Sequence, residues 1–219
     1  MKKKDTKTRI RTEALKQLNE SGVEQVTIRS IADALAMSPG NLTYHYKNTD
    51  FIIYELYLDL VHAIDETIFE LNNRPLDLHL LYDQLVRNQG KMFAYRFVLL
   101  EFATIARRVE SVKHHYRHLI RSRQEQFKMF LHVLIMEGYL KKEVSDSTQL
   151  EMIFQSLIFS NAWLPDAYIH FDQPDERVIP FYARLQMSMM LPYLTDKGRS
   201  QYGEIMEKHY DGNFSGYPE

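Results

Sequence analysis

A run of small and polar side chains between residues 38 and 47 carries the groups best suited to recognition chemistry. Asn41 can form two hydrogen bonds with the edge of an adenine base, and Thr43 offers a hydroxyl and a methyl group. Gly40 has no side chain, so a helix that carries it can approach base edges closely. These residue types at this spacing indicate contact with DNA. An ordinary helical hairpin with capped ends is the simpler alternative.

Two short helices with a tight turn between them would position this run. Thr27 precedes four apolar residues at helical spacing, which makes it a good N-cap for the first helix. Ser38 is the equivalent cap of the second helix, and Pro39 occupies the first helical position, where proline is tolerated. Leu42 and Tyr46 lie one turn apart and are predicted core residues. The pattern predicts a helix-turn-helix over residues 27–46.

Helices on both sides of this motif are also evident from apolar periodicity. An amphipathic helix with buried positions in residues 10–18 ends at Gly22, which suits a left-handed C-cap. A long helix with an apolar stripe over residues 52–68 ends at residues 72–75. Further helices are predicted over residues 76–89, 92–108, 112–138, 147–170 and 175–194. Residues 211–219 show no periodicity and are predicted to be a loose tail.

Composition and charge exclude several classes of fold and site and suggest a class of partner. Eight glycines and seven prolines in 219 residues are few for a strand-rich fold, so an all-α fold is predicted. The absence of cysteine excludes disulfides and thiolate metal sites. Residues 1–49 contain nine Lys or Arg and five Asp or Glu, whereas the whole chain has a net charge of −2. A basic head indicates a polyanionic partner, and a solvated charged helix is the alternative.

No apolar run reaches the ~20 residues that a membrane-spanning helix needs. The N-terminus lacks the apolar stretch of a signal peptide. The sequence therefore predicts a cytoplasmic protein without a membrane partner.

The segment 27–50 is similar to the DNA-binding signature of the TetR family. The resemblance is carried by Thr27, the pair Ile31-Ala32, the run Ser38-Pro39-Gly40-Asn41-Leu42, and Asn48 before a long helix. The segment departs from the signature at three positions. Thr43 replaces a usual tyrosine, Tyr46 a usual phenylalanine and Thr49 a usual lysine.

The resemblance implies a homodimeric bacterial repressor that binds double-stranded operator DNA and is released by a small effector. It implies a DNA-binding head over residues 1–48 and a helical bundle for effector binding and dimerisation over residues 49–210. The residues predicted to contact or position DNA are Thr27, Arg29, Ser38, Pro39, Gly40, Asn41, Thr43, Tyr44, His45 and Lys47.

The helices near the C-terminus carry more apolar surface than one neighbouring helix can cover. Apolar triplets recur at residues 152–154, 157–159 and 162–164, and the segment 175–194 is similarly rich. Two such helices from each subunit would form a four-helix dimer interface. The central helix of a monomeric bundle is the alternative.

Aromatic residues crowd the segment 93–102, where a gap between helices could hold an apolar or amphipathic effector. The predicted pocket residues are Phe93, Phe97, Phe102 and Trp163, each of which could instead be plain core. His114 and His118 have the spacing of two metal ligands, but no third ligand lies at a matching spacing nearby. The neighbouring arginines Arg117, Arg121 and Arg123 would repel a cation. We therefore predict a solvated basic face, with an anion contact as the alternative.

No catalytic residues, metal or cofactor are predicted, and the chain is not expected to be an enzyme. The alternatives are a helical-bundle enzyme or a ligand-binding adaptor with a vestigial helix-turn-helix. The sequence has neither the Glu-x-x-His pairs of di-iron bundles nor a phosphate-binding glycine loop.

Overall fold

A computed structural model describes residues 3–71 and 75–209, and within these ranges the chain forms eleven α-helices. The helices are α1 (Lys3–Ser21), α2 (Ile28–Ala34), α3 (Pro39–His45), α4 (Thr49–Leu71), α5 (Leu78–Ala94), α6 (Arg96–Leu100), α7 (Phe102–Arg108), α8 (Glu110–Met136), α9 (Asp146–His170), α10 (Ile179–Ser188) and α11 (Asp196–His209). In the same part of the chain no strand forms, and the all-α prediction is confirmed. The predicted tail, residues 211–219, lies outside the described residues.

The chain divides into two compact units. Met1–Ala63 and Ala94–Arg117 form the first, and Ile64–Phe93 and His118–Glu219 form the second. Residues 94–117 therefore belong with the N-terminal helices, although α4 and α5 intervene in the sequence. The functional boundary between residues 48 and 49 stays a prediction.

The core of the first unit consists of the apolar stripes that the sequence predicted. Its buried residues include Ile10, Ala14, Leu18, Ile31, Ala32, Leu42, Tyr46, Ile52 and Leu56. Burial of one such aliphatic side chain contributes roughly 1.5–3 kcal/mol to stability. Together these residues hold the two short helices α2 and α3, which are too short to be stable alone.

Gly22 ends α1 in the left-handed conformation that the sequence predicted. Its φ is +78°, and its N–H donates to the carbonyl of Leu18 at 3.0 Å. A Cβ built on Gly22 would lie 2.7 Å from Oε1 of Glu101, the same oxygen that accepts the N–H of Val23 at 2.9 Å. The left-handed backbone angle favours glycine here, and a larger residue would also displace the Glu101 carboxylate.

Gly22→Ala is expected to lower the free energy of unfolding by about 1–2 kcal/mol, the cost of a left-handed backbone for an L-residue. The matched control is Gly90→Ala. Gly90 lies inside α5, and its added Cβ would meet no atom within 4 Å. That change should stabilise the protein by about 0.5–1 kcal/mol. Urea denaturation measures both, and two shifts of the same sign would contradict the expectation.

The second half of the chain differs from the predicted helices in three places. The predicted helix 92–108 is broken into the end of α5, α6 and α7. The predicted helix 175–194 has α10 as its regular core, with short 3-10 helices, Glu176–Val178 and Leu191–Tyr193, on either side. Helix α11 was not predicted, since it buries little apolar surface, chiefly Ile205.

The predicted basic face on α8 is solvated only in part. His114, Arg117, His118 and Arg121 are exposed, as predicted. The prediction is wrong for Arg123, which is buried, with its Nη2 2.6 Å from Oδ1 of Asp65 on α4. His115 is half-buried, and its Nδ1 lies 3.0 Å from the hydroxyl of Tyr57. A buried arginine is stable there because a carboxylate neutralises it.

The second unit buries an apolar cluster drawn from several of its helices. Its members include Leu78, Leu85, Leu134, Ile153, Ala183 and Met187. None of the helices formed by the described residues is both long and apolar enough to cross a membrane.

Candidate nucleic-acid interface and ligand cavity

Helix α2 begins at a reciprocal cap. Oγ1 of Thr27 accepts the N–H of Ser30 at 3.0 Å, and Oγ of Ser30 accepts the N–H of Thr27 at 3.0 Å. Gln17 of α1 reaches the same place, because Ser30 donates its hydroxyl to Oε1 of Gln17 at 2.8 Å. The predicted N-cap is confirmed, and Gln17 is a positioning residue that carries no local signal in the sequence.

Helix α3 begins as predicted, after a turn that contains Ala36 at a φ of +50°. Oγ of Ser38 accepts the N–H of Asn41 at 3.2 Å, and Pro39 is the first helical residue. Pro39 has no N–H and the cap takes up the N–H of Asn41, so Gly40 supplies the peptide N–H group at this exposed helix end. Such groups suit contact with a phosphate.

The two sides of α3 differ sharply. Leu42 and Tyr46 are buried, which confirms their prediction as core residues. The opposite side is exposed, and Tyr44 has 73% of its surface open. The exposed residues of this side and its flanks are Ser38, Pro39, Gly40, Asn41, Thr43, Tyr44 and Lys47. The structure thus brings seven of the ten predicted contact residues onto one surface.

Individual groups on this surface have different freedom to bind. A Cβ on Gly40 would meet nothing within 4 Å, so packing within the chain does not require glycine at this position. Thr43 donates its hydroxyl to the carbonyl of Pro39, which leaves its methyl group and lone pairs for a partner. His45 is half-buried, and its Nδ1 is buried without a hydrogen-bond partner among the described residues. Any contact from His45 would have to use Nε2.

The remaining two predicted residues lie at α2. Thr27 is exposed, although its hydroxyl is used in the cap. Arg29 is exposed and lies 3.8 Å from Asp33, one turn further along the helix. Exposed pairs of this kind contribute little, about 0.3–0.5 kcal/mol, so Arg29 can turn to a phosphate at small cost.

The Tyr46 hydroxyl has the partner that it requires. It donates to Oε2 of Glu55 at 3.1 Å. Burial and the Glu55 carboxylate both raise the pKa of Tyr46 above its ordinary range, so the hydroxyl stays protonated. The tyrosine therefore fixes the end of α3 to α4 by a hydrogen bond that phenylalanine could not make.

Two carboxylates on α4, those of Glu55 and Asp59, form ion pairs with two cationic side chains of α1. Lys7 lies 3.9 Å from Glu55, and Arg11 lies 3.4 Å from Glu55 and 3.2 Å from Asp59. Burial raises the pKa of Asp59, an effect that Arg11 opposes. The excess positive charge available to DNA is thus smaller than the count over residues 1–49 indicated, because the neutralising acids lie just beyond that range.

Two side chains at the ends of α7 hold the helix-turn-helix in place. Arg108 donates to the carbonyl of Val23 at 2.9 Å, to Asp50 at 2.7 Å and to Thr49 at 2.8 Å. Glu101 accepts the N–H of Val23. The loop before α2 and the start of α4 are therefore fixed by one arginine, and Thr49 serves this contact.

Arg108→Ala is expected to lower the free energy of unfolding by about 1–2 kcal/mol, because three half-exposed hydrogen bonds are lost. Arg107→Ala is the matched control. Arg107 is exposed and its contact among the described residues is a 3.5 Å hydrogen bond to Thr104, so its loss should stay within about 0.5 kcal/mol. Equal shifts in urea denaturation would show that Arg108 does not act as a clamp.

A cavity lies within the second unit, between α5, α8, α9 and α10. Its walls include Leu85, Phe127, Phe130, Met152, Met187 and Met190, and it is partly open to solvent. Ser156 and Gln186 are the polar residues of the lining. An apolar cavity with few polar groups is typical of small-molecule sites.

The four predicted pocket residues do not line this cavity. Phe97 is buried in the first unit, and Phe102 makes an edge-to-face contact with Tyr116 there, 4.6 Å between ring centres. Phe93 and Trp163 belong to the second unit, where Trp163 is fully buried 5.4 Å from the ring of Tyr182. Their role in effector binding stays a prediction. No cluster of three or more potential metal ligands occurs among the described residues.

Several solved structures of known proteins share this all-helical architecture. The structure is similar to that of a TetR-family transcriptional regulator from Marinobacter aquaeolei VT8, with a TM-score of 0.84 and 22% identity over 95% of this chain and 99% of that one. A TetR transcription regulator from Haloarcula marismortui ATCC 43049 gives a TM-score of 0.66 and 21% identity over 88% of this chain and all of that one.

A third similar structure is that of a gamma-butyrolactone receptor, an ArpA-like protein, with a TM-score of 0.69 and 11% identity over 94% of this chain and 96% of that one. A search of the curated proteins found no match.

The sequence profile of the TetR family, described as a bacterial transcriptional repressor, matches residues 60–202. This span is well over half of the chain, and it lies outside the helix-turn-helix, so it is independent of the residues that suggested the resemblance. The chain belongs to the TetR family of bacterial transcriptional repressors, which are DNA-binding regulators.

Proposed function

We propose that this protein represses transcription by inserting α3 into the major groove of an operator. The observation that carries the proposal is the division of α3 into a buried side, Leu42 and Tyr46, and an exposed side of small and polar residues. A helix that is exposed on one side and has no side chain at Gly40 can approach base edges closely. Asn41 can then form two hydrogen bonds with an adenine.

The operator-binding form is a homodimer, built on apolar surface that the described residues of one chain leave exposed. Phe154, Ile158 and Ile169 lie on one stripe of α9 and are 43%, 66% and 80% exposed. On α10, Leu185 is exposed as well. Exposed apolar side chains in a continuous stripe mark a protein–protein contact, and a second copy would cover them around a two-fold axis.

An effector acts through the cavity of the second unit. The cavity is apolar, and one similar structure is named as a receptor for gamma-butyrolactone, so a protein of this fold takes a small molecule. An effector that prefers a dimer with the wrong spacing of recognition helices weakens operator binding. By linkage, DNA weakens effector binding by the same factor, about 5- to 150-fold for a coupling of about 1–3 kcal/mol.

The experiment that tests the proposal is selection of bound DNA. Purified protein is mixed with fragments of the source genome and excess nonspecific competitor, and the retained fragments are sequenced. A repressor should retain fragments that share a two-fold symmetric site. A helical adaptor with a vestigial helix-turn-helix would retain none above the competitor.

Two variants separate sequence recognition from backbone contact. Asn41→Ala should reduce the preference for the selected site by roughly 5- to 150-fold, since one bidentate base contact contributes about 1–3 kcal/mol of discrimination. Lys47→Ala should weaken binding to all DNA alike and reduce the salt slope by about 0.9 per phosphate contact. Affinity titrations at several salt concentrations measure both. An unchanged preference in Asn41→Ala would mean that α3 is not aimed as proposed.

A further inference from the structure

We propose that the cavity of the second unit binds an uncharged amphipathic molecule, with an oxygen atom at one end that accepts a hydrogen bond from the hydroxyl of Ser156. The inference rests on the proposed role of this cavity as the effector site, and it adds the chemical class of the effector.

The absence of charge in the lining sets the first constraint. None of the side chains in the cavity wall is ionisable, and apart from Ser156 and Gln186 all are aliphatic, aromatic or thioether groups. A carboxylate or ammonium group held at the Ser156 end would lose its hydration without gaining a counter-ion. Neutral molecules are therefore strongly preferred over ions of the same length.

The polar end of the cavity is built around the Gln186 amide. Its Nε2 donates to Oγ of Ser156 at 2.8 Å and to Oγ of Ser160 at 3.1 Å. Its Oε1 accepts a hydrogen bond from Nε2 of Gln89 at 3.1 Å. Both hydrogens of the amide are thus engaged, and Gln186 is held in one orientation by neighbours on α5 and α9.

This arrangement gives Ser156 a defined role. Because Oγ of Ser156 accepts from Gln186, its own hydrogen points away from that amide. Ser156 donates no hydrogen bond to any group in the described part of the chain, and it lies on the cavity wall. A hydroxyl or carbonyl oxygen on a bound molecule would be its acceptor, which orients the molecule with its polar end toward α9.

The rest of the wall can adapt to apolar groups of different shape. Met152, Met187, Met189 and Met190 line the cavity together with two phenylalanines. Methionine side chains are flexible and adapt to different shapes. Selectivity should therefore depend more on the charge and the single oxygen of the ligand than on the branching of its apolar part.

The test uses three probes of equal chain length and the full-length protein without DNA. Titration calorimetry with 1-octanol, octanoate and octylammonium at pH 7 should show octanol binding at least tenfold more tightly than either ion. Ser156→Ala should weaken octanol binding by about 2- to 12-fold, the range of one net hydrogen bond. Ser122→Ala, which makes the same change at an exposed position of α8 outside the cavity wall, should leave octanol affinity within about twofold of the wild type, since no ligand contact is lost.

A third variant locates the site. Met190→Trp adds bulk at the wall and should reduce octanol affinity at least tenfold, with a thermal melt to show that the protein is folded. Octanoate binding as tightly as octanol, no binding of octanol up to its solubility, or no effect of Ser156→Ala would overturn the inference. Octanol binding that leaves operator affinity unchanged would count against effector release instead, so the two failures can be told apart.

Discussion

Gly40→Ala is expected to lower specific operator affinity by about 30-fold or more while making the protein more stable. The added Cβ would meet no atom of the chain within 4 Å, and alanine is more favourable than glycine inside a helix by about 0.5–1 kcal/mol. On the exposed side of α3, however, the methyl group would stand beside Asn41 and hold base edges beyond hydrogen-bonding distance. Loss of two base contacts that contribute about 1 kcal/mol each reduces affinity roughly 30-fold. If each contact contributes more free energy, the loss of affinity is greater.

The opposite signs of the two effects make this variant informative. Gly203→Ala is the matched control, because Gly203 lies in α11 and also has open space around its Cβ position. It should raise stability by a similar amount and leave operator binding unchanged. Urea denaturation and gel-shift titration measure the two properties. Normal operator affinity in Gly40→Ala would show that this side of α3 does not face DNA.

Features set by neighbouring residues can be predicted from the sequence. Thr27 and Ser38 are recognisable as caps because each lies immediately before an apolar periodic segment, and both accept the expected N–H groups. The left-handed Gly22 and the buried Leu42 follow from the same local signals. Local signals are therefore sufficient to predict the polar surface of α3.

Features set by distant residues cannot be predicted in this way. Arg108 holds the carbonyl of Val23, 85 residues earlier in the sequence, and neither residue carries a local signal of this contact. The pairing of Arg123 with Asp65 likewise depends on how α4 and α8 meet. The cavity escapes prediction for the same reason, since its walls come from four helices and no short segment contains them.

The apolar triplets of α9 predict more apolar surface than one neighbouring helix covers, even though the sequence does not show which residues that neighbour contacts. Within the triplets, Met152 and Ile153 are buried whereas Phe154 is exposed, and Leu157 is buried whereas Ile158 is exposed. One side of the helix thus belongs to the core of its own unit. The other side presents large apolar residues that the described part of the chain leaves exposed, which favours a dimer interface.

Ile158→Asp is expected to dissociate the dimer and lower operator affinity at least 100-fold. Ile158 is 66% exposed in the centre of the α9 stripe, so a carboxylate there leaves the fold of the single chain intact. In the dimer it would be buried against apolar side chains, and an unpaired buried charge opposes association strongly. A monomer reads only one half-site, and the gain from two linked half-sites, about 10²- to 10⁴-fold, is lost.

Ser200→Asp on α11 is the matched control, since it adds the same charge at an exposed position on a different helix. It should remain dimeric and bind the operator normally. Light scattering at micromolar concentration gives the mass of each variant, against 26.0 kDa for one chain. A thermal melt shows that Ile158→Asp is folded. A folded Ile158→Asp protein that stays dimeric would place the interface elsewhere, and one that is monomeric yet binds the full operator with normal affinity would contradict the two-half-site mode of recognition.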